Sequence, residues 1–311
     1  MTKRVILTGP TSFTGAHIAR AFVSRGFEVV GALSRERNEY QSGKERQRLD
    51  YSKLSNFSYS SSFGSSSMLD LIAKFKPDVF INHGASITGY RDPNFDYLSS
   101  VGLALKGAKE VFEALVKNAC SRFIHSGSIF EPDEGTPGAG TENSSPAISI
   151  YGTSKNMVWQ ALRHWGHQCA LPLSKVVIAN PIGPLENGDR LVPRFVATWK
   201  SGGVATLMTP NLVRDNVPAT WLAEVYVQEA ASQALSVAIR RPSAFKLTNE
   251  GFVKMLVEQW RPFAKSWDFQ IKVQPVTSSE PLERVNSESL TQLNVPEAER
   301  VFFSEWFESF R

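Results

Sequence analysis

Tyr151 and Lys155, in the stretch Tyr151-Gly152-Thr153-Ser154-Lys155, stand four residues apart. On a helix that is about one turn, so a phenol and an ammonium project from the same face. The pairing has an acid/base use. A phenol with an ordinary pKa of about 10 is a poor base at neutral pH, and an adjacent ammonium favours its anion. Upstream, Ser126-Gly127-Ser128 follows the strand expected over Arg122 to His125, and the carboxyl end of such a strand is where α/β sheets bind ligands. Ser128 is placed to donate a hydrogen bond to the same substrate oxygen that Tyr151 addresses. Without Ser128, Tyr-x-x-x-Lys would read equally well as a surface pair on an amphipathic helix.

A second chemical feature lies near the start, in Thr8-Gly9-Pro10-Thr11-Ser12-Phe13-Thr14-Gly15. Gly9 permits a tight turn off a strand and Gly15 lets a helix pack closely on a sheet. Between them, the backbone N–H groups of Thr11, Ser12, Phe13 and Thr14 offer a seat for a pyrophosphate. Ser12 stands where the usual fingerprint has its middle glycine. After the next strand come Ser34, Arg35 and Arg37, in the region where the 2′-phosphate of NADP would lie, and guanidinium groups suit that anion. Glu36 and Glu39 alternate with the arginines, so a solvated loop of mixed charge is the alternative. NADP is therefore expected as cofactor, with NAD possible.

These groups need elements to hold them. Arg4 to Thr8 reads as a buried strand and Thr14 to Arg25 as a helix ending at Gly26, with Phe27 to Leu33 closing a β-turn-α-β unit. The alternation continues with helix 68–75, strand 78–83, helix 97–119, strand 122–125, helix 151–166 and strand 173–179. Apolar strands alternating with amphipathic helices predict an α/β fold: a Rossmann-type doubly wound parallel sheet. The serine-rich stretch 55–67 carries Phe57, Tyr59 and Phe63, and reads as a short edge strand plus loop rather than a linker. Past Ala179 the pattern changes to Pro- and Gly-punctuated loops, with helices near 190–200, 221–236, 252–260 and 297–310. This predicts a dinucleotide-binding domain over 1–180 and a smaller mixed substrate-binding region over 181–311, with some segments interleaved.

Composition narrows the class. The chain has 311 residues, a formal charge of +4 from 34 basic and 30 acidic side chains, and two cysteines. The charges are spread along the chain, which argues against a nucleic-acid partner, and Cys120 and Cys169 offer neither a disulfide framework nor a zinc spacing. No metal is expected. No stretch has the length of a signal peptide or membrane span, so a cytoplasmic location and no membrane partner are expected.

The chain resembles the extended short-chain dehydrogenase/reductases, the branch of nucleotide-sugar epimerases, dehydratases and 4-ketoreductases. The resemblance rests on TGPTSFTG (8–15), DVFINHGAS (78–86), FIHSGS (123–128), SIYGTSK (149–155), ANPIGP (179–184) and RDNV (214–217). It implies Tyr151 as general acid/base, Lys155 as the group that orients the nicotinamide ribose and lowers the phenol pKa, and Ser128 as a hydrogen-bond donor to the reacting oxygen. It also implies contacts of Asn180 and Arg214 with a nucleotide-sugar diphosphate, and a homodimer through helices 97–119 and 151–166. Ser86 and Thr88 are placed for sugar hydroxyls. Departures are Ser12, Ser100 where relatives carry Asn, Val177 where they carry Arg, and no aspartate after the third strand.

A 4,6-dehydratase of that family has an Asp-Glu pair directly after the active-site hydroxyl. Here Ile129-Phe130 follow Ser128 and Glu131 comes one place later, which disfavours dehydration. Hydride transfer alone remains, as reduction of a 4-keto sugar or as 4-epimerisation with retained NAD, and the arginines after the second strand favour reduction. A cofactor-sensing regulator without catalysis is the reading from another class; retention of Ser128, Tyr151 and Lys155 argues against it. His83 and His125 read as strand-end residues with either structural or site-lining roles. Val301, Phe302, Trp306 and Phe310 read as the buried face of a terminal helix.

Overall fold

The computed structural model describes residues 2–85, 89–90, 92, 94–135, 145–264, 267–278, 280–292 and 298–311. The chain opens with β1 (Arg4–Thr8), α1 (Phe13–Ser24) and β2 (Glu28–Ala32), followed by α2 (Gly43–Ser52), β3 (Asn56–Ser58), α3 (Ser66–Phe75) and β4 (Val79–Asn82). Next come α4 (Tyr97–Leu105), α5 (Ala108–Lys117), β5 (Arg122–Ser128), α6 (Ile150–Gln168), β6 (Leu173–Ile178) and β7 (Asn180–Ile182). The remainder holds α7 (Leu191–Lys200), β8 (Ala205–Leu207), β9 (Val213–Pro218), α8 (Ala219–Ala231), β10 (Ala238–Arg240), β11 (Pro242–Ser243) and β12 (Phe245–Thr248). It ends with α9 (Asn249–Trp260), β13 (Ile271–Val273), β14 (Glu283–Arg284), β15 (Glu288–Ser289) and α10 (Glu299–Glu308).

Seven strands form one parallel sheet in the order β10-β6-β5-β4-β1-β2-β3. Both faces are covered, which is why β1 reads as an unbroken apolar run. Val5 and Leu7 pack on one side with Ile18 and Phe22 of α1 and with α8. Ile6 packs on the other, in a second cluster with Met68, Phe112, Phe123 and Trp159. The strand order reverses between β1 and β4, and the crevice at their carboxyl ends is where such sheets take ligands.

Past β6 the chain returns to this sheet through β10, which pairs with β6, while α8 packs against α1. The smaller sheet is built on β9, flanked by antiparallel β12 and by parallel β14 and β7. Two expected elements differ. The helix expected over 97–119 is two, because Gly107 adopts a left-handed φ of 64° between α4 and α5. In α10 the buried side chains are Phe302, Phe303, Trp306 and Phe307, whereas Val301 is 57% exposed and Phe310 lies at the rim. Adjacent pairs one turn apart, not the wider spacing read from the sequence, face the core.

Candidate active site

At the end of β1, Gly9 turns with φ 69°, and its Cα side is pressed against the chain that follows β4. A Cβ there would stand 2.7 Å from Gly84 Cα. Ser12 caps α1 by accepting the Gly15 N–H at 3.0 Å, and Ala16 N donates to the Ser12 carbonyl at 3.0 Å. The N–H groups of Phe13 and Thr14 are left at the mouth of the turn, with the positive end of the helix dipole behind them. Pro10, Thr11 and this first turn thus form a backbone cradle of the size and polarity a pyrophosphate needs, so the residues present fit a dinucleotide.

At the end of β2, Ser34, Arg35 and Arg37 are all exposed. Arg35 is not free: its Nη2 lies 2.6 and 2.5 Å from the Glu45 carboxylate oxygens, and its guanidinium stacks 4.5 Å from the Tyr40 ring centroid. Glu45 belongs to α2, an element the sequence pattern does not reveal. Its charge meets part of the cation expected to face a 2′-phosphate.

Ser128 is the last residue of β5, and Tyr151 and Lys155 lie on the first turns of α6. The Ser149 hydroxyl caps that helix by accepting the Gly152 N–H at 3.2 Å, and Ile148 N donates to the Phe130 carbonyl at 3.1 Å. The first closes the helix start, and the second fixes it against the chain leaving β5. Tyr151, Lys155, Asn82, Gly84 and His125 line one cavity at the carboxyl ends of β4 and β5. The Tyr151 ring is half-buried among Tyr90, Phe95 and Phe130, at centroid distances of 5.0, 6.4 and 6.2 Å.

Burial, then Tyr90 and the charge of Glu131, push the Tyr151 phenol above its ordinary range, while the Ser128 hydroxyl pulls the other way. The sequence predicts a phenol lowered by Lys155; in the structure burial sets the direction, and the group that pulls the phenol down is Ser128. Lys155 is itself brought down to about 8, first by burial and further by Lys175, against the attraction of Glu131. At neutral pH the phenol therefore keeps its proton, beside an ammonium brought down to about 8.

Beneath the site runs a buried charge network. The Glu131 carboxylate accepts the Ser128 backbone N–H at 2.7 Å and pairs with Lys175 at 3.0 Å. Lys175 also reaches Glu134 at 3.1 Å, and Glu134 meets Arg241 at 2.6 Å. Glu131 is 0% exposed, so it is held as a structural anion rather than offered to a substrate.

Asn180 lies at the start of β7, and Arg214 is buried in β9. Arg214 donates to the backbone carbonyls of Val213 and Pro281, at 2.7 and 3.1 Å, and to Glu280 Oε2 at 2.8 Å. A residue missed in the sequence, Arg284 of β14, joins them: it donates to the same Glu280 oxygen at 3.0 Å and to Asn180 Oδ1 at 3.4 Å, and stacks 4.3 Å from the Phe130 ring. Burial, and then repulsion from Arg214, lower its pKa to about 10. Its position beside Arg214 comes from the β14–β9 pairing, which no local pattern announces. Ser86 and Thr88 lie outside the described residues.

His125 is buried and stacks on Trp159, with centroids 5.9 Å apart, and neither ring nitrogen makes a well-formed hydrogen bond. Burial, Lys155 and Lys175 keep it neutral. No group of three or more metal-ligating side chains occurs among the described residues, nor does any helix there have the length and apolarity to cross a membrane.

Solved structures resemble the chain along its whole length. UDP-glucose 4-epimerase of Thermotoga maritima, with UDP-glucose, superposes with a TM-score of 0.77 at 17% identity, covering 99% of this chain and 98% of that one. The WbmH enzyme of Bordetella bronchiseptica, with NAD+, gives 0.72 at 20% identity over 100% and 99% of the two chains. DesIV, a dTDP-glucose 4,6-dehydratase of Streptomyces venezuelae with NAD and TYD bound, gives 0.74 at 16% over 99% and 97%. At such identities the likeness establishes the fold. Comparison with curated proteins finds no match. The sequence profile of the NAD dependent epimerase/dehydratase family matches residues 5–245, from β1 into β12, and therefore spans the dinucleotide turn, Ser128, Tyr151, Lys155, Asn180 and Arg214. With that profile covering most of the chain and the same fold throughout, the chain belongs to the NAD dependent epimerase/dehydratase family.

Proposed function

We propose that the chain transfers hydride at C4 of a nucleotide-activated sugar, in the direction that reduces a 4-keto sugar. The observation that carries this reading is a phenol held in its acid form beside Ser128 and the buried Lys155, lining a cavity whose wall at Gly84 packs directly on Gly9 of the backbone cradle. When bound there, a nicotinamide dinucleotide supplies the hydride chemistry. Tyr151 gives its proton to the C4 oxygen as negative charge develops on it, and Ser128 donates a hydrogen bond to the same oxygen. Lys155 holds positive charge below the phenol and orients the nicotinamide ribose. Glu131, tied to Lys175 and the Ser128 N–H, is in no position to take a proton from C5, which argues against dehydration.

Arg214 and Arg284, with Asn180 bonded to Arg284, are our candidates for the diphosphate of the sugar nucleotide, where bidentate guanidinium contacts are favoured. Ser86 and Thr88 remain candidates for sugar hydroxyls. NADPH is the proposed reductant, met by Ser34, Arg37 and an Arg35 released from Glu45. The existing Arg35–Glu45 pair favours a second reading, 4-epimerisation with NAD retained, because it removes part of the reason to expect NADP. We also propose a homodimer through α4 and α6. No side chain of α4 is buried, and Leu98, Leu103 and Met157 are 61%, 60% and 40% exposed. Cys120 and Cys169, both free, accord with the reducing cytoplasm.

The test mixes purified protein with NADPH and a panel of nucleotide-linked 4-keto-6-deoxy sugars and follows absorbance of the reduced nicotinamide. Oxidation with one of them supports reduction. No oxidation with any, together with interconversion of 4-hydroxy epimers in the absence of added dinucleotide, decides for epimerisation.

A further inference from the structure

The hydroxyls of Ser12 and Thr14, on the first turn of α1, each lie 2.9 Å from Nε2 of His83. On the other side of the ring, Nδ1 is 2.6 Å from the Ser126 hydroxyl, which is in turn 2.7 Å from the Tyr226 phenol of α8. Either tautomer keeps the cluster bonded: with the ring proton on Nδ1 facing Ser126, Nε2 accepts a hydroxyl proton, and with it on Nε2, the ring donates to one of the two oxygens while Ser126 donates to Nδ1. His83 is neutral, brought down to about 3 by burial and then by Lys155, and both its nitrogens are engaged. No step of the proposed chemistry uses it.

We propose that His83 is a positioning residue for the dinucleotide turn, drawing the Ser12 and Thr14 hydroxyls inward so that only backbone N–H groups face the anion. This rests on the cofactor reading above. At position 12 a side chain replaces the bare backbone that close approach of a pyrophosphate calls for. Without the ring, Ser12 Oγ would be held by the Gly15 N–H alone, and its remaining lone pair would be left to face the phosphates. Held by His83, it points at the sheet instead, and the ring ties α1 to the ends of β4 and β5 and to α8.

The experiment measures dinucleotide affinity directly, by calorimetry and fluorescence quenching with NADPH and with NADH, and separately the KM for dinucleotide and kcat. His83→Leu should weaken binding about ten-fold, the equivalent of one to two lost hydrogen bonds, with kcat at saturating dinucleotide changed less than about two-fold. In a Ser12→Gly background the same substitution should cost less than about three-fold, because the oxygen it restrained is gone. Unchanged affinity, or an equal loss in both backgrounds, overturns the proposal. Should His83→Leu fail to fold, His83→Gln and His83→Asn decide: Gln reaches the place of Nε2 and should retain binding, whereas Asn reaches only toward Ser126 and should lose it. The reverse order overturns the proposal. A folded wild-type protein that binds neither dinucleotide overturns the cofactor reading first and this inference with it, and is recognised because the wild type alone reports it.

Discussion

Replacing Glu280 with Gln should tighten the binding of a nucleoside diphosphate. One carboxylate oxygen, Oε2, is shared by Arg214 at 2.8 Å and Arg284 at 3.0 Å; the two guanidinium groups are almost fully buried, while Glu280 is 51% exposed. A diphosphate that reaches these arginines must first take them from Glu280. Ion pairs with exposed partners are typically worth ~0.2–1 kcal/mol, so two contacts set a competing anion back by about 1 kcal/mol, or about five-fold in Kd. Gln keeps the shape and an acceptor oxygen but not the charge, and two- to five-fold tighter binding is expected of it. Arg214→Gln and Arg284→Gln each remove a charge-assisted bond from a buried group, worth about 1.5–3 kcal/mol, and should weaken binding at least about ten-fold. Calorimetric titration with UDP and dTDP, at low and at raised salt, reads all three. The advantage of the Glu280→Gln variant over the wild type should shrink as salt screens the exposed competitor. Binding by Glu280→Gln that equals or falls below wild type, while the arginine variants behave as stated, would refute the competition argument.

Tyr151→Phe should lower turnover by about 100-fold or more, the usual worth of a positioned proton donor, while dinucleotide affinity stays within about two-fold; retained turnover would sink the mechanism. Glu186 is brought up from 4.5 to about 7 by burial, against Arg190 and the Gly183 N–H. Its folded pKa exceeds the unfolded one, so the stability it contributes is complete below about 4.5 and is lost as pH rises through about 7, on the order of 3 kcal/mol. Melting temperature against pH between 5 and 8 should therefore flatten in Glu186→Gln; a curve parallel to wild type contradicts the sign. Leu98→Glu with Leu103→Glu should shift sedimentation from dimer to monomer, and an unmoved boundary rules out α4 as the interface. Arg37→Ala should raise the KM for NADPH about five-fold and leave that for NADH unchanged; equal effects on both would remove the 2′-phosphate role.

What could be read from sequence was what is encoded locally. β1 is legible because burial on both faces makes its three central positions, Val5 to Leu7, all apolar, and the start of α6 because its cap, phenol and ammonium all fall within seven residues. α2 is the opposite case. Its sequence is GKERQRLDYS, and its buried residues are Arg48, Leu49 and Ser52, so no apolar period exists to be seen. Arg48 anchors it by donating to the Thr11 carbonyl at 3.3 Å and the Leu185 carbonyl at 2.9 Å, partners far along the chain. Arg284 and the Lys175 network share that cause, since each takes its meaning from segments far apart in the chain, and the Glu45 contact of Arg35 is hidden because α2 itself is. The break at Gly107 was hidden because an apolar helical period continues across it.

The line of charges from Arg241 through Glu134, Lys175 and Glu131 to the Ser128 N–H bears on how such a protein can be cut or recombined. Arg241 follows β10, far beyond residue 180, yet it pairs with Glu134, which shares Lys175 with the Glu131 carboxylate that accepts the Ser128 N–H. A fragment ending near residue 180 would lack this guanidinium and the sheet edge that β10 supplies, leaving Glu134 short of a partner in a dry interior. Transplanting a foreign substrate-binding half would meet the same demand. Such a chimera should hold its active site in register only if the incoming segment restores a cation at position 241.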